Sequence, residues 1–139
     1  MVFGFGKKKE EGSSMKEMVE SLVSLPDDSR KTMLETRLRN FAEMPDGKRK
    51  DAMKMMLEAA LDLPESKYGK LARTRLQVLM GFSATDQMKL MKTHLAALQE
   101  LPKTKQMKEM QITKAILMEL PKEKREMMQQ MMQKFGMKM

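Results

Sequence analysis

Leu25-Pro26, Met44-Pro45, Leu63-Pro64, Phe82-Ser83, Leu101-Pro102 and Leu120-Pro121 recur at intervals of nineteen residues, five of the six as an apolar residue followed by proline. Six units therefore run in phase without an insertion or deletion. Self-similarity at a fixed period of about 20 residues is the signature of a repeat array. Proline suits a helix start, where its missing N–H would have no partner, and it disfavours helix in the residue before it. Each pair thus ends one helix and begins the next. Ser83 keeps this logic by another route, because Ser83 and Asp86 have the spacing of a capping box.

Inside the units the apolar residues fall in columns. With the residue before proline counted as position one, position ten holds Leu34, Met53, Ala72, Met91 and Met110. Position fourteen holds Leu38, Leu57, Leu76 and Leu95, and position seventeen holds Phe41, Ala60, Leu79, Leu98 and Leu117. The spacing i, i+4, i+7 is one stripe of an α-helix. Each unit is expected to hold one helix of roughly 13–16 residues, leaving about four to six residues for the turn. One such helix cannot cover its own stripe, so neighbours must stack. The predicted fold is all-α: about seven short helices in a superhelix or compact bundle. In the last two units Lys114 and Gln133 occupy position fourteen, and the apolar residues shift to Ile112, Ala115 and Ile116, then to Met128, Met131, Met132 and Phe135.

Residues 1–14 contain three glycines, three lysines and a serine pair without helical period, and are expected to form a flexible tail. Val2, Phe3 and Phe5 lie beside its lysines. Gly6-Lys7 lacks the remaining spacing of a phosphate loop. Ser14 and Glu17 read as a capping box that opens a first helix over 15–24 through Met18, Leu22 and Val23. Residues 15–139 then form a single α-helical repeat domain.

Composition narrows the function classes. Absence of cysteine removes disulfides, thiolate metal sites and cysteine nucleophiles. No apolar run approaches the roughly 18–20 residues of a membrane span, and the apolar residues of the N-terminus precede its charges, the reverse of a secretion signal. A cytoplasmic location is expected. With one histidine, His94, and one tyrosine, Tyr68, acid–base chemistry has no evident base, so the sequence points to a protein without catalytic residues, metal or cofactor. The net charge of +8 is concentrated in residues 101–139, which carry nine Lys or Arg against four Glu. Such an excess favours anionic partners.

The phrases Leu25-Pro26-Asp27-Asp28-Ser29-Arg30 and Leu120-Pro121-Lys122-Glu123-Lys124-Arg125 resemble the corners of the short-helix superhelices in the cytosolic N-terminal domain of MgtE-type magnesium transporters and in the flagellar switch protein FliG. The resemblance covers residues 25–139 in pattern. It implies a right-handed superhelix acting in regulation or assembly rather than catalysis. The chain departs from the transporter in lacking membrane spans and in being basic where a magnesium-sensing face needs carboxylates.

Two groups of residues are candidates for binding. The last unit places Met127, Met128, Met131, Met132 and Phe135 as a methionine-rich stripe suited to a protein partner, since methionine repacks readily against varied apolar surfaces. Position thirteen repeats in Thr36-Arg37-Leu38, Thr74-Arg75-Leu76 and Thr93-His94-Leu95. Arg37, Arg75 and His94, with Lys105, Lys124 and Arg125, are candidate anion-binding groups. The first functional expectation is an interaction or scaffold module that binds a protein partner with an apolar or acidic segment, or a second copy of itself. The second is a nucleic-acid-associated accessory protein that holds phosphates through its basic C-terminal third. The third is a Cu(I)-binding protein built on thioethers, which are soft ligands.

Overall fold

The computed structural model describes residues 8–134, with side chains from Ser14 onward, as seven α-helices: α1 (Lys8–Ser24), α2 (Asp27–Glu43), α3 (Asp46–Leu61), α4 (Glu65–Met80), α5 (Ala84–Gln99), α6 (Lys103–Glu119) and α7 (Lys122–Lys134). No strand occurs among the described residues. Each of the six expected corners is where one helix gives way to the next. The backbone N–H at position one donates to the carbonyl three residues earlier, at 3.0–3.2 Å in all six corners. The carbonyl at position two accepts the first helical bond from the N–H at position six, at 2.8–3.1 Å. Pro26, Pro45, Pro64 and Pro102 serve as N-caps with ψ between 150° and 155°. Ser83 adopts the same extended backbone, and its hydroxyl accepts from the Asp86 N–H at 3.2 Å.

Because helical bonding starts on the proline carbonyl, α2 to α6 are 16 or 17 residues long and the connections are shorter than the predicted four to six residues. The first helix also differs from expectation. It begins at Lys8, so Ser14 lies inside it instead of at its cap. The lysines and glutamates of residues 8–11 are good helix formers and carry the helix through Gly12, whose helical cost is only about 1 kcal/mol. Of the expected tail, residues 1–7 lie outside the described residues.

Helices α1 to α4 each pack chiefly on the helix two places on. This gives two interleaved rows, α1–α3–α5 and α2–α4–α6, joined by contacts of α1 with α4, α2 with α5 and α3 with α6. The main core collects Val19, Leu22, Leu34, Leu38, Phe41, Leu57, Leu71 and Leu90 from five helices. Ion pairs between helices two apart repeat at a separation of 46 residues: Lys16–Asp62 (3.7 Å), Lys54–Glu100 (3.3 Å) and Arg73–Glu119 (2.8 Å). Exposed pairs of this kind contribute about 0–1 kcal/mol each. They report the register more than they create it.

A stronger device lies at the corners. The last carbonyls of a helix have no partner within it, and here a side chain from position six of the following unit reaches back to them. Arg30 donates to Leu25 O (2.8 Å) and Val23 O (3.4 Å) and pairs with Asp27. Arg49 donates to Phe41 O (3.1 Å), Met44 O (3.1 Å) and Asp46 (2.8 Å). Gln87 holds Met80 O and Phe82 O at 3.2 and 3.0 Å, and Gln106 holds Leu101 O at 2.8 Å. Arg30 and Arg49 are buried. Removing such a charged donor leaves the corner carbonyls unpaired at a loss of about 2–3 kcal/mol. Arg49→Ala is therefore expected to lower the unfolding free energy by that amount in denaturant titration. Lys48→Ala, on an exposed neighbour, should stay within about 0.5 kcal/mol of the parent.

Candidate functional site

Two positions depart from the columns, and the fold brings them together. Position six is Arg or Gln in every unit except the third, where it is Tyr68; position nine is Met33, Ala52, Leu71, Leu90 and Met128, but Glu109 in the fifth unit. Tyr68 is fully buried and Glu109 is only 2% exposed. The Tyr68 hydroxyl donates to Glu109 Oε1, which also accepts from Arg75 at 3.3 Å. Glu109 Oε2 accepts from Thr113 at 2.9 Å and lies 3.1 Å from His94 Nε2. A carboxylate can only accept, so Nε2 carries a proton and donates it to Glu109. Arg75 also donates to the Tyr68 oxygen at 3.2 Å.

Electrostatics follow from this geometry. Burial alone would push the Glu109 carboxyl up, but the Arg75 guanidinium, the His94 ring and the Tyr68 hydroxyl hold it well below the usual carboxylate range. Burial pushes the Tyr68 phenol upward. Burial opposes the charge on Arg75, yet Tyr68 and Glu109 raise its pKa. Glu109 is thus an ionised hub with four donors around its two oxygens. It has little lone-pair capacity left for proton abstraction, so the arrangement suits positioning better than acid–base work.

A cavity of about 70 Å³ opens beside the hub, lined by apolar side chains and by Arg75, His94, Glu109 and Thr113. A smaller cavity of about 40 Å³ shares Arg75 and His94 with it. The larger one is walled in part by α7, whose Met128 and Met132 pack with Met91 and Leu117 as a second cluster against Leu76 and Leu79.

The candidate partner-binding residues therefore separate. Met128 and Met132 are 4% and 6% exposed and face inward, not along an outward stripe. Met131 packs partly against the same cluster, Met127 is 56% exposed, and Phe135 lies outside the described residues. The reason is the helical period: residues four apart share a face, and the cavity needs that face. The candidate anion-binding residues separate too. Arg75 and His94 are spent on Glu109, and Lys105 lies on Asp62 (3.0 Å) and Glu58 O (3.3 Å) at the end of α3. Arg37 and Arg125 are half-buried and Lys124 is exposed, and none of these three side chains makes a hydrogen bond among the described residues. Met110, expected in the core column, is 44% exposed because α6 turns Glu109 inward in its place.

Glu109 itself was not among the candidates read from sequence. Its signal was present, as the one charge in an otherwise apolar column, with the only tyrosine as the exception in another. Comparison with protein-family models, with curated proteins and with solved structures finds no match to this chain.

Breaking the hub should be costly, since removing one partner of a buried pair leaves the other charge unpaired. Glu109→Gln is expected to destabilise the fold by about 3 kcal/mol, the lower end of the usual range because the edge of Arg75 remains open to solvent. The pH dependence has a definite sign. With its folded pKa below the ordinary 4.5, Glu109 contributes stability that is fully present above that value and lost as the pH falls below it. Thermal melts over that acidic window should show a shallower loss for Glu109→Gln than for the parent.

Proposed function

We propose that the chain is a non-enzymatic interaction module whose groove between α4, α5 and α6, now filled by its own α7, receives an amphipathic helix of a partner protein. The observation that carries this reading is the seating of Met128 and Met132 in a cluster of their own. An amphipathic helix in an apolar groove, anchored at i and i+4, is a recurrent mode of peptide recognition. The main core is built by α1 to α6 without α7. The groove thus has a helix as its natural occupant and a framework that does not need that particular one. Met127, Lys122 and Lys124 on the outer side of α7 are exposed, and a basic exterior favours a partner with acidic flanks. The role agrees with the regulatory or assembly function that the resemblance to FliG and MgtE-type domains implies.

Phosphate binding through the C-terminal third is the less favoured reading, because two of its lysines point inward. Lys105 lies at the end of α3, and Lys108 donates to Leu61 O at 2.8 Å and to Leu63 O.

The test is a chain truncated after Pro121. It is expected to unfold cooperatively at a lower midpoint and to bind a synthetic peptide of residues 122–134 in trans, with an affinity that persists at high salt. The same peptide carrying M128K and M132K should not bind. Helical peptides selected on the truncated chain from a displayed library should enrich apolar residues at i and i+4. A truncated chain without cooperative unfolding, a selection without that spacing, or binding to generic nucleic acid that falls steeply with salt would remove the reading.

A further inference from the structure

The cavity wall carries a second chemistry when α7 occupies the groove. Met91 and His94 stand three residues apart on α5, and Met128 and Met132 stand four apart on α7, so each pair lies on one face of its helix. All four line the same cavity, and Met91, Met128 and Met132 belong to one packed cluster. Metal sites in helical proteins are commonly built from such pairs on facing helices. His94 is also prepared for ligation. Its Nε2–H is held by Glu109 at 3.1 Å, the carboxylate–histidine arrangement that fixes ring orientation and raises the basicity of the other nitrogen. Nδ1 makes no hydrogen bond among the described residues.

We infer that Met91, Met128, Met132 and the Nδ1 of His94 form a site for a soft monovalent cation, Cu(I), bridging α5 and α7. Thioethers are soft, neutral donors that select Cu(I) over Zn(II) or Mg(II). A neutral ligand set suits a single positive charge better than a double one, since burying a divalent ion without anionic ligands leaves its charge uncompensated. The nearest carboxylate, Glu109, is already paired with Arg75. Sequence spacing alone left the methionines without a nitrogen partner; folding places the chain's one histidine in the cavity they line.

Ag(I), a redox-stable stand-in for Cu(I), is the probe. Added to the full-length protein with ¹³C-labelled methionine methyls, it is expected to shift the resonances of Met91, Met128 and Met132, saturating at one ion per chain, while Met118, 64% exposed on α6, stays in place. Cu(I) competition against a chromogenic chelator should show the same stoichiometry. The triple variant M91L/M128L/M132L removes the sulfurs while conserving volume, so it should keep its helical content and lose the one-to-one binding. Each single Leu variant should weaken the binding and M118L should not. Shifts spread over exposed methionines, no shift at all, or undiminished binding by the Leu variants would overturn the site. Because the probe is a metal ion, these results do not depend on whether the groove accepts a partner helix.

Discussion

A helix that stops at a two-residue corner leaves carbonyls pointing out of its end, and in this molecule those carbonyls decide which helices can be neighbours. Buried without donors they would be costly. Donors arrive from two places. Arg30, Arg49, Gln87 and Gln106 come from the helix just begun, and Lys89, Lys105 and Lys108 come from the helix three places on, each reaching back 47 residues, to Ala42 O, Glu58 O and Leu61 O. An ammonium or guanidinium at a helix C-terminus also complements the dipole. One residue inserted into a helix would rotate everything beyond it by about 100° and swing these donors away. The constancy of the nineteen-residue spacing follows from that requirement as much as from the apolar stripe.

The exchange at the third unit shows how far such a constraint propagates. Tyr68 stands where a corner donor is expected, and its hydroxyl turns inward to Glu109. The corner carbonyls Leu61 O and Leu63 O are taken up instead by Lys108. Lys108 and Glu109 are adjacent on α6, so two successive residues answer one departure: the first supplies the missing donor, the second the partner for the phenol. Arg75, His94 and Thr113 then follow because an ionised carboxylate inside the array needs its oxygens filled. No buried side-chain polar atom is left without a partner among the described residues. A repeat that breaks its own pattern at two positions and repairs both with the same helix has traded uniformity for a buried polar centre beside a cavity.

Much of the architecture was legible in the amino-acid sequence because proline and the helical period act locally. The six corners, the seven helices, the Ser83 cap and most of the inward stripe fall where residue type and spacing place them. What was not legible depends on rotation and on distant partners. The shift at Lys114 announced that α6 was turned, yet not that Glu109 would replace Met110 inside. Position thirteen was recognised as a column of basic and polar residues; that three of its members meet on one carboxylate required knowing which helices stack. Lys105 was read as an anion-binding group, whereas folding sets it on Asp62 and the Glu58 carbonyl at the end of α3. The methionine stripe of α7 was visible, but its direction was set by a cavity whose other walls come from α2 to α6.

The use of methionine to seat α7 follows from the same physics. Without α7, Leu76, Leu79 and Leu117 would lose the cover that Met128 and Met132 give them. Leucine would cover the face with a more defined fit. Methionine, unbranched and polarisable, fills irregular space at small penalty and specifies its position weakly. Met128 and Met132 cover this apolar face with a fit that methionine specifies less tightly than leucine would. The same sulfurs lie beside a histidine whose ring is already oriented. Packing that is permissive for a helix is also permissive for a soft ion, and both proposals rest on that property of methionine.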